Sequence, residues 1–178
     1  MNIGNRRINR VALDAVDPKP GERVLDIGCG GGVALRQTLR RVGLDGRVAD
    51  VELSSDMIRR AQRRWRRQVE SGTLALYEAS VEAIPTDDES FDAVYTVNTV
   101  YFWSDLTAAF KELRRVTAPG GRVVLAIQPR AHKQWERLYR RDIPDTSQLA
   151  AGLASRGFAD VYERAPARNV ALMLAGKS

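Results

Sequence analysis

From about residue 22 onward the chain alternates short apolar runs with stretches whose apolar residues recur three and four positions apart. Runs of the first kind predict strands, and the 3.6-residue period of the second predicts helices packed on one face. The first strand is Glu22 to Ile27, introduced by the turn Pro18-Lys19-Pro20-Gly21, and a helix follows from about Val33 to Val42 and stops near Gly43. Strand two is Arg47 to Leu53, after which Ser54 or Ser55 caps a helix reaching about Glu70. Strand three is Thr73 to Ala79, strand four Phe91 to Asn98, then a helix from Ser104 to Val116, a break at Ala118-Pro119-Gly120-Gly121, and strand five from Arg122 to Gln128.

The last third is less regular. Residues 130–144 are mixed in character, Thr146 to Arg156 has a helical pattern, and Gly157 opens two strands, about Ala159 to Arg164 and Asn169 to Leu174, close enough for an antiparallel hairpin. Ahead of the sheet, Ile8, Val11, Ala12 and Ala15 share a helix face, so residues 1–17 predict an amphipathic helix over the sheet edge or the ligand cleft. Alternation of strand and helix gives an α/β fold: a doubly wound, mostly parallel, seven-stranded sheet with a C-terminal antiparallel hairpin strand. The expected domain organisation is one unit over residues 1–178, with 129–145 as a short lid or insert.

Composition narrows the function classes. The 178 residues, 44% hydrophobic and 28% charged, suit one globular core. The apolar runs Val123 to Ile127 and Val170 to Ala175 fall far short of the roughly 18 to 20 residues that span a bilayer. The basic start, Met1 to Arg7, leads into Ile8-Asn9-Arg10 without a signal-peptide core, so a cytoplasmic protein is expected. Cys29 is the only cysteine and His132 the only histidine, which excludes an intrachain disulfide and a thiolate zinc cage and leaves no basis for a metal site. The net charge of +6 rests on 24 arginines and 4 lysines, densest at Arg59, Arg60, Arg63, Arg64, Arg66 and Arg67. Those arginines interleave with Met57, Ile58, Ala61, Trp65 and Val69 at helical spacing, which describes a solvated outer face or an anion-binding surface.

The chemistry concentrates at the C-terminal ends of the strands, where open α/β sheets bind ligands. Val24-Leu25-Asp26-Ile27-Gly28-Cys29-Gly30-Gly31-Gly32 is an apolar strand that ends in an acid and opens into glycines before a helix. A dinucleotide fingerprint G-x-G-x-x-G would want glycine or alanine at position 33, where Val33 stands; the pattern here is D-x-G-x-G-x-G. The acid before the first glycine would repel a pyrophosphate and attract an ammonium group. Glu52 ends strand two, 20 residues after Gly32, where a carboxylate can accept from both hydroxyls of a ribose. Ser80 and Val81 follow strand three and Asn98 follows strand four, ahead of the aromatic run Tyr101-Phe102-Trp103.

In order and spacing these motifs resemble the class I S-adenosylmethionine-dependent methyltransferases, especially the small-molecule branch typified by quinone biosynthesis. The resemblance runs from about Gly21 to Ile127 and takes in Val48 to Ser54 with Met57, Glu82-Ala83-Ile84-Pro85, Glu89-Ser90-Phe91-Asp92, Glu112 to Val116 and Pro119-Gly120-Gly121. Gly157-Phe158 resembles the turn before the closing hairpin. It implies S-adenosyl-L-methionine as cofactor, S-adenosyl-L-homocysteine as product and no metal. The implied binding set is Asp26, Gly28, Cys29 and Gly30 at the methionine end, Glu52 and Leu53 at the ribose, Met57, Ser80 and Val81 at adenine, and Asn98 through its backbone. Position 80 is commonly aspartate in that family, so Ser80 offers the adenine amino group a weaker acceptor.

No residue announces itself as a catalytic base. Tyr101 and His132 are the candidates, Tyr101 as a pocket wall or a core ring and His132 as a base or a surface residue. Cys29 reads as a small residue in a glycine turn rather than a reactive thiol. The implied activity is methyl transfer to an O, N or C nucleophile of a small molecule; the alternatives are an RNA or ribonucleoprotein methyltransferase, for which nucleic acid would be the partner, and a cofactor-binding member without catalysis. Short N-terminal and lid segments leave an open cleft, which fits a homodimer that closes it or an acceptor displayed on something larger.

Overall fold

Strand β1, Arg23–Ile27, is buried along four of its five positions, because a central parallel strand is covered on both faces. Around it the computed structural model, which describes residues 3–30, 32–128, 144–167 and 170–178, places β2 (Arg47–Glu52), β3 (Leu74–Glu78), β4 (Phe91–Val97), β5 (Thr117–Ile127), β6 (Ala159–Ala167) and β7 (Val170–Gly176). They form one seven-stranded sheet in the order β3-β2-β1-β4-β5-β7-β6. The first five strands pair in parallel, and β7 runs antiparallel to both β5 and β6. The order reverses between β1 and β4, which places a switch point at the C-terminal end of β1.

Side-chain alternation divides the core into two layers. Val24, Val48, Ala93, Tyr95, Val124 and Ala126 face helices α1 (Ile3–Val16) and α2 (Val33–Val42). Leu25, Val51, Val94, Val123 and Leu125 face α5 (Leu106–Val116) and α6 (Thr146–Ser155). Helix α1 does not lie at the sheet edge: Ile8, Ala12, Leu13 and Val16 are fully buried over the central strands β4 and β5. Arg122 holds its end, donating from Nη1 and Nη2 to Glu22 at 2.9 and 2.7 Å, from Nε to the Val16 carbonyl and from Nη2 to the Asp17 carbonyl at 2.7 Å.

Local chemistry sets the helix starts. The Ser54 hydroxyl accepts from Met57 N at 3.4 Å and Asp105 from Ala108 N at 3.0 Å, while Asp145 and Gln148 make a reciprocal capping box. The arginine-rich segment is not one helix to Glu70. It breaks at Trp65 (φ −111°, ψ 25°) into α3 (Ser55–Arg64) and α4 (Arg66–Glu70). The turn expected at Ala118 to Gly121 instead enters β5 through a bulge, where Gly120 N donates to Lys177 O at 2.6 Å and Lys177 N donates to Gly121 O at 2.8 Å. The lid expected at 129–145 falls mostly on residues 129–143, outside the described residues. Among the described residues no helix is long and apolar enough to cross a membrane, and no cluster of three or more potential metal ligands occurs.

Candidate functional site

The glycine loop after β1 turns beneath a cleft of about 920 Å³ that spans the C-terminal ends of β1, β2, β4 and β5 and the loop after β3. A smaller cavity of about 410 Å³ lies at the opposite ends of the strands, beside Arg23, Arg47 and Phe91, and contains none of the residues of the sequence-derived binding set. The loop has glycine for stated reasons. Gly28 has φ +80°, and a Cβ there would meet Thr99 Cγ2 at 2.5 Å. Gly30 has φ +51° and, its chain neighbours aside, no atom of the described residues within 4 Å of where a Cβ would stand, so its backbone opens directly onto the cleft.

Glu52, at the end of β2, is fixed by that same loop. One carboxylate oxygen accepts from Gly30 N at 3.3 Å and the other from Ser54 N at 3.0 Å, which leaves lone pairs on both for a diol. Seven of the ten residues of the sequence-derived binding set line the cleft: Gly28, Gly30, Glu52, Leu53, Ser80, Val81 and Asn98. Asn98 adopts φ +58°; its amide donates to Gln128 Oε1 at 3.0 Å, and its own Oδ1 is buried without a partner among the described residues. An unsatisfied acceptor at the wall of a cavity marks a place for a donor on a ligand.

Three of the set lie elsewhere. Asp26 is buried under the loop, where it accepts from the Tyr95 hydroxyl at 2.7 Å. Cys29 turns its N–H to Asp50 at 2.9 Å, and burial together with the surrounding carboxylates pushes its thiol pKa far up, so it is no nucleophile. Met57 is partly buried on the first turn of α3, outside the cleft lining. Ser80 has an unforeseen partner: its hydroxyl donates to Glu82 and accepts from Glu82 N at 3.3 Å. Glu82 also accepts from Ser104 N, Ser104 Oγ and Asp105 N at 2.6, 2.9 and 3.0 Å, tying the β3 loop to the start of α5. These bonds outweigh its partial burial and hold the Glu82 pKa below the usual carboxylate value.

The aromatic run divides between core and cleft. Tyr101 is a core ring; its hydroxyl donates to Gln128 O at 3.3 Å and accepts from Gln128 N at 3.1 Å, and burial raises its pKa. It is not among the residues that line the cleft, and Gln128 engages its hydroxyl as both donor and acceptor. Phe102 and Trp103 line the cleft, Phe102 being 47% exposed, together with Thr99, Val97 and Gln128. His132 lies outside the described residues. Sequence reasoning missed Asp50, fully buried beside Asp26; the signal was an acid inside the apolar run Val48-Ala49-Asp50-Val51.

Residues 25–125 match the model of the family described as a methyltransferase domain. The chain belongs to the class I S-adenosylmethionine-dependent methyltransferase family. An uncharacterized 37.1 kDa protein of transposon TN4556 from Streptomyces fradiae is 34% identical to this family member over 79% of the chain. The 2-phytyl-1,4-naphtoquinone methyltransferase of Trichormus variabilis is 29% identical, also over 79%. The chain spans 38% and 62% of the lengths of these two relatives. Among solved structures, geranyl diphosphate C-methyltransferase from Streptomyces coelicolor A3(2), in complex with Mg2+, geranyl-S-thiolodiphosphate and S-adenosyl-L-homocysteine, has a TM-score of 0.80 at 17% identity, with 97% of this chain and 76% of that one covered. That likeness is one of fold, and it extends past the family match to the closing hairpin.

Proposed function

We propose that this methyltransferase binds S-adenosylmethionine in the large cleft and transfers its methyl group to an uncharged small molecule. The observation that carries the reading is the convergence of Gly28, Gly30, Glu52, Ser80, Val81 and Asn98 on one cavity at the switch point of the sheet. The residues fit such a cofactor: an exposed glycine backbone for the methionine end, a fixed carboxylate for the ribose and an orphaned Asn98 oxygen at the wall. When bound, the cofactor supplies a methyl group already activated by a sulfonium. Glu52 and Leu53 hold the ribose side, Ser80 and Val81 the adenine edge, and the Gly28 to Gly30 backbone with Asn98 orients the methionine end.

Phe102, Trp103 and Val97 form the wall on which the acceptor packs. Among the described lining residues Glu52 is the sole charged group, so that wall suits a neutral, aromatic or apolar acceptor. Holding such an acceptor in line with the methyl group is the main catalytic contribution, worth up to about 7 to 11 kcal/mol in well-oriented reactions. A proton shed by the acceptor leaves to water, since Tyr101 is committed to Gln128. A second copy completes the cleft, and the single Cys29 accords with a cytoplasmic setting. The arginines of α3 and α4 are exposed on the outer side of helices that cover the sheet face, which argues against RNA as the methylated substrate.

The test is transfer of tritiated methyl groups from S-adenosylmethionine to a panel of phenols, quinols and amines, with tRNA and rRNA in parallel. Labelling of a neutral small acceptor that is lost in Phe102→Ala supports the reading. Labelling of RNA alone overturns it.

A further inference from the structure

Asp26 and Asp50 are register partners on adjacent parallel strands, β1 and β2, so their side chains emerge side by side on the same face of the sheet. They are 2% and 0% exposed. Asp26 accepts from the Tyr95 hydroxyl, itself in contact with Thr38 Oγ1 at 2.9 Å. Asp50 Oδ1 accepts the Cys29 N–H at 2.9 Å, and Asp50 Oδ2 is buried with no partner among the described residues. Among the described residues the groups facing the pair are Tyr95 from β4, Cys29 from the glycine loop and Glu52 from the end of β2, and none of them is a cation.

Two buried carboxylates in contact with no cation do not both ionise readily. Burial and mutual repulsion raise the pKa of Asp26, and Asp50 is pushed up to about 7. The Cys29 N–H that Asp50 holds lies between Gly28 and Gly30, which form the cleft wall, so the pair sits one loop thickness below the ligand. A positive charge in the cleft is what this arrangement lacks.

We propose that Asp50, paired with Asp26, makes the cleft read the charge of its cofactor, favouring cationic S-adenosylmethionine over uncharged-sulfur S-adenosylhomocysteine. The inference rests on the cofactor reading given above and adds a specificity residue to it. Below neutral pH the pair gives up a proton to solvent when the sulfonium enters. In the transfer, the carbon–sulfur bond breaks with its electron pair left on sulfur while the acceptor's lone pair bonds the methyl carbon. Sulfur is then neutral, the pair takes a proton back from solvent, and the product is held less firmly than the substrate was. Asp50 is a positioning residue: it acts through field and loop, without touching the reacting atoms.

The experiment is titration calorimetry of the full chain with S-adenosylmethionine and with S-adenosylhomocysteine at pH 6 and pH 8, each in two buffers of different ionisation enthalpy. In the wild type the ratio of product Kd to substrate Kd rises about threefold or more from pH 6 to pH 8, within the tenfold per pH unit that one linked proton permits. Proton release near neutrality accompanies the sulfonium compound alone. Asp50→Asn keeps the acceptor for Cys29 N–H and removes the charge, so the ratio becomes independent of pH. Tyr95→Phe, which strips the donor from Asp26, is the second variant and moves the midpoint to higher pH. A wild-type ratio equal at both pH values, or a pH dependence that survives Asp50→Asn, overturns the proposal. Binding of neither ligand overturns the cofactor reading itself, and the proposal with it.

Discussion

At the scale of single residues, the cleft depends on carboxylates whose oxygens are assigned. Glu52 uses one lone pair on each oxygen for the Gly30 and Ser54 amides and keeps the rest for a ligand. Glu52→Ala should therefore weaken S-adenosylhomocysteine binding by about 1.5 to 3 kcal/mol, the range for hydrogen bonds to a charged group; calorimetry reads it directly, and a change below twofold would remove Glu52 from the site. Ser80 reverses a simple expectation. The family's usual aspartate at this position would be the stronger acceptor for adenine, but here it would lose the bond to Glu82 and place two carboxylates together. Ser80→Asp should loosen the tie to Ser104 and Asp105 and leave cofactor affinity unchanged or weaker, whereas tighter binding would show that Glu82 is free to move aside. Gly28, Gly30, Glu52, Ser80 and Asn98 were legible as cleft-lining residues because their types and spacing after the strand ends form a recognisable pattern. Tyr101 and Asp26 were not, because whether a side chain at a strand end turns up to the cleft or down to the core is decided by neighbours distant in sequence.

Among elements, periodicity placed β1 to β4 within a residue at each end, found β5, β6 and β7 while starting β5 five residues late, and placed the starts of α2 and α6, since burial on one or both faces imposes the pattern. It missed the break at Trp65. A helical pattern continues through that residue, but Trp65 Nε1 stands 2.9 Å from where a Cβ on Gly32 would be, and the ring packs against the core layer that contains α2. The chain leaves helical geometry there. Trp65→Ala should lower stability by about 2 kcal/mol, less than the roughly 3 to 5 for a fully buried ring, because Trp65 is only partly buried. It should also loosen the glycine loop and weaken cofactor binding; loss of stability without loss of affinity would separate the ring from the loop. The β3–β4 connection is held by Arg115, which donates to the Ile84 and Thr86 carbonyls at 2.8 and 2.6 Å and pairs with Glu112 at 2.8 Å. No local pattern reveals that clamp, since its partners lie about 30 residues upstream.

Across the whole molecule, charge and chemistry occupy different surfaces. Arg59, Arg60, Arg63, Arg64, Arg66 and Arg67 are all exposed on the outer side of α3 and α4. Ile58 and Ala61 are buried beneath them, and Trp65 and Val69 pack against the core. Changing Arg60, Arg63, Arg64 and Arg67 together to Gln should leave cofactor affinity within about twofold, since exposed substitutions rarely exceed about 0.5 kcal/mol each; loss of methyl transfer with fold and cofactor intact would place that helix in the active site. Stability should carry the mark of the buried pair. Unfolded aspartates titrate near 4, and the folded pair titrates higher, so the folded state holds more protons between those values. Its contribution is full below about pH 4 and is lost as pH rises through about 7. Asp92 and Glu112, lowered by Arg23 and Arg115, act in the opposite sense and only at acid pH. The apo protein's Tm should then fall between pH 5 and pH 8, and Asp50→Asn should flatten that slope; a wild-type Tm that rises over this range would contradict the buried pair. The central claim, that the glycine loop and Glu52 form a site for S-adenosylmethionine and not for a dinucleotide, is tested most directly by calorimetric titration of the apo protein with S-adenosylhomocysteine and with NAD. The account predicts one saturable site for S-adenosylhomocysteine, weakened in Glu52→Ala, and no heat of binding from NAD; tighter binding of NAD would contradict it.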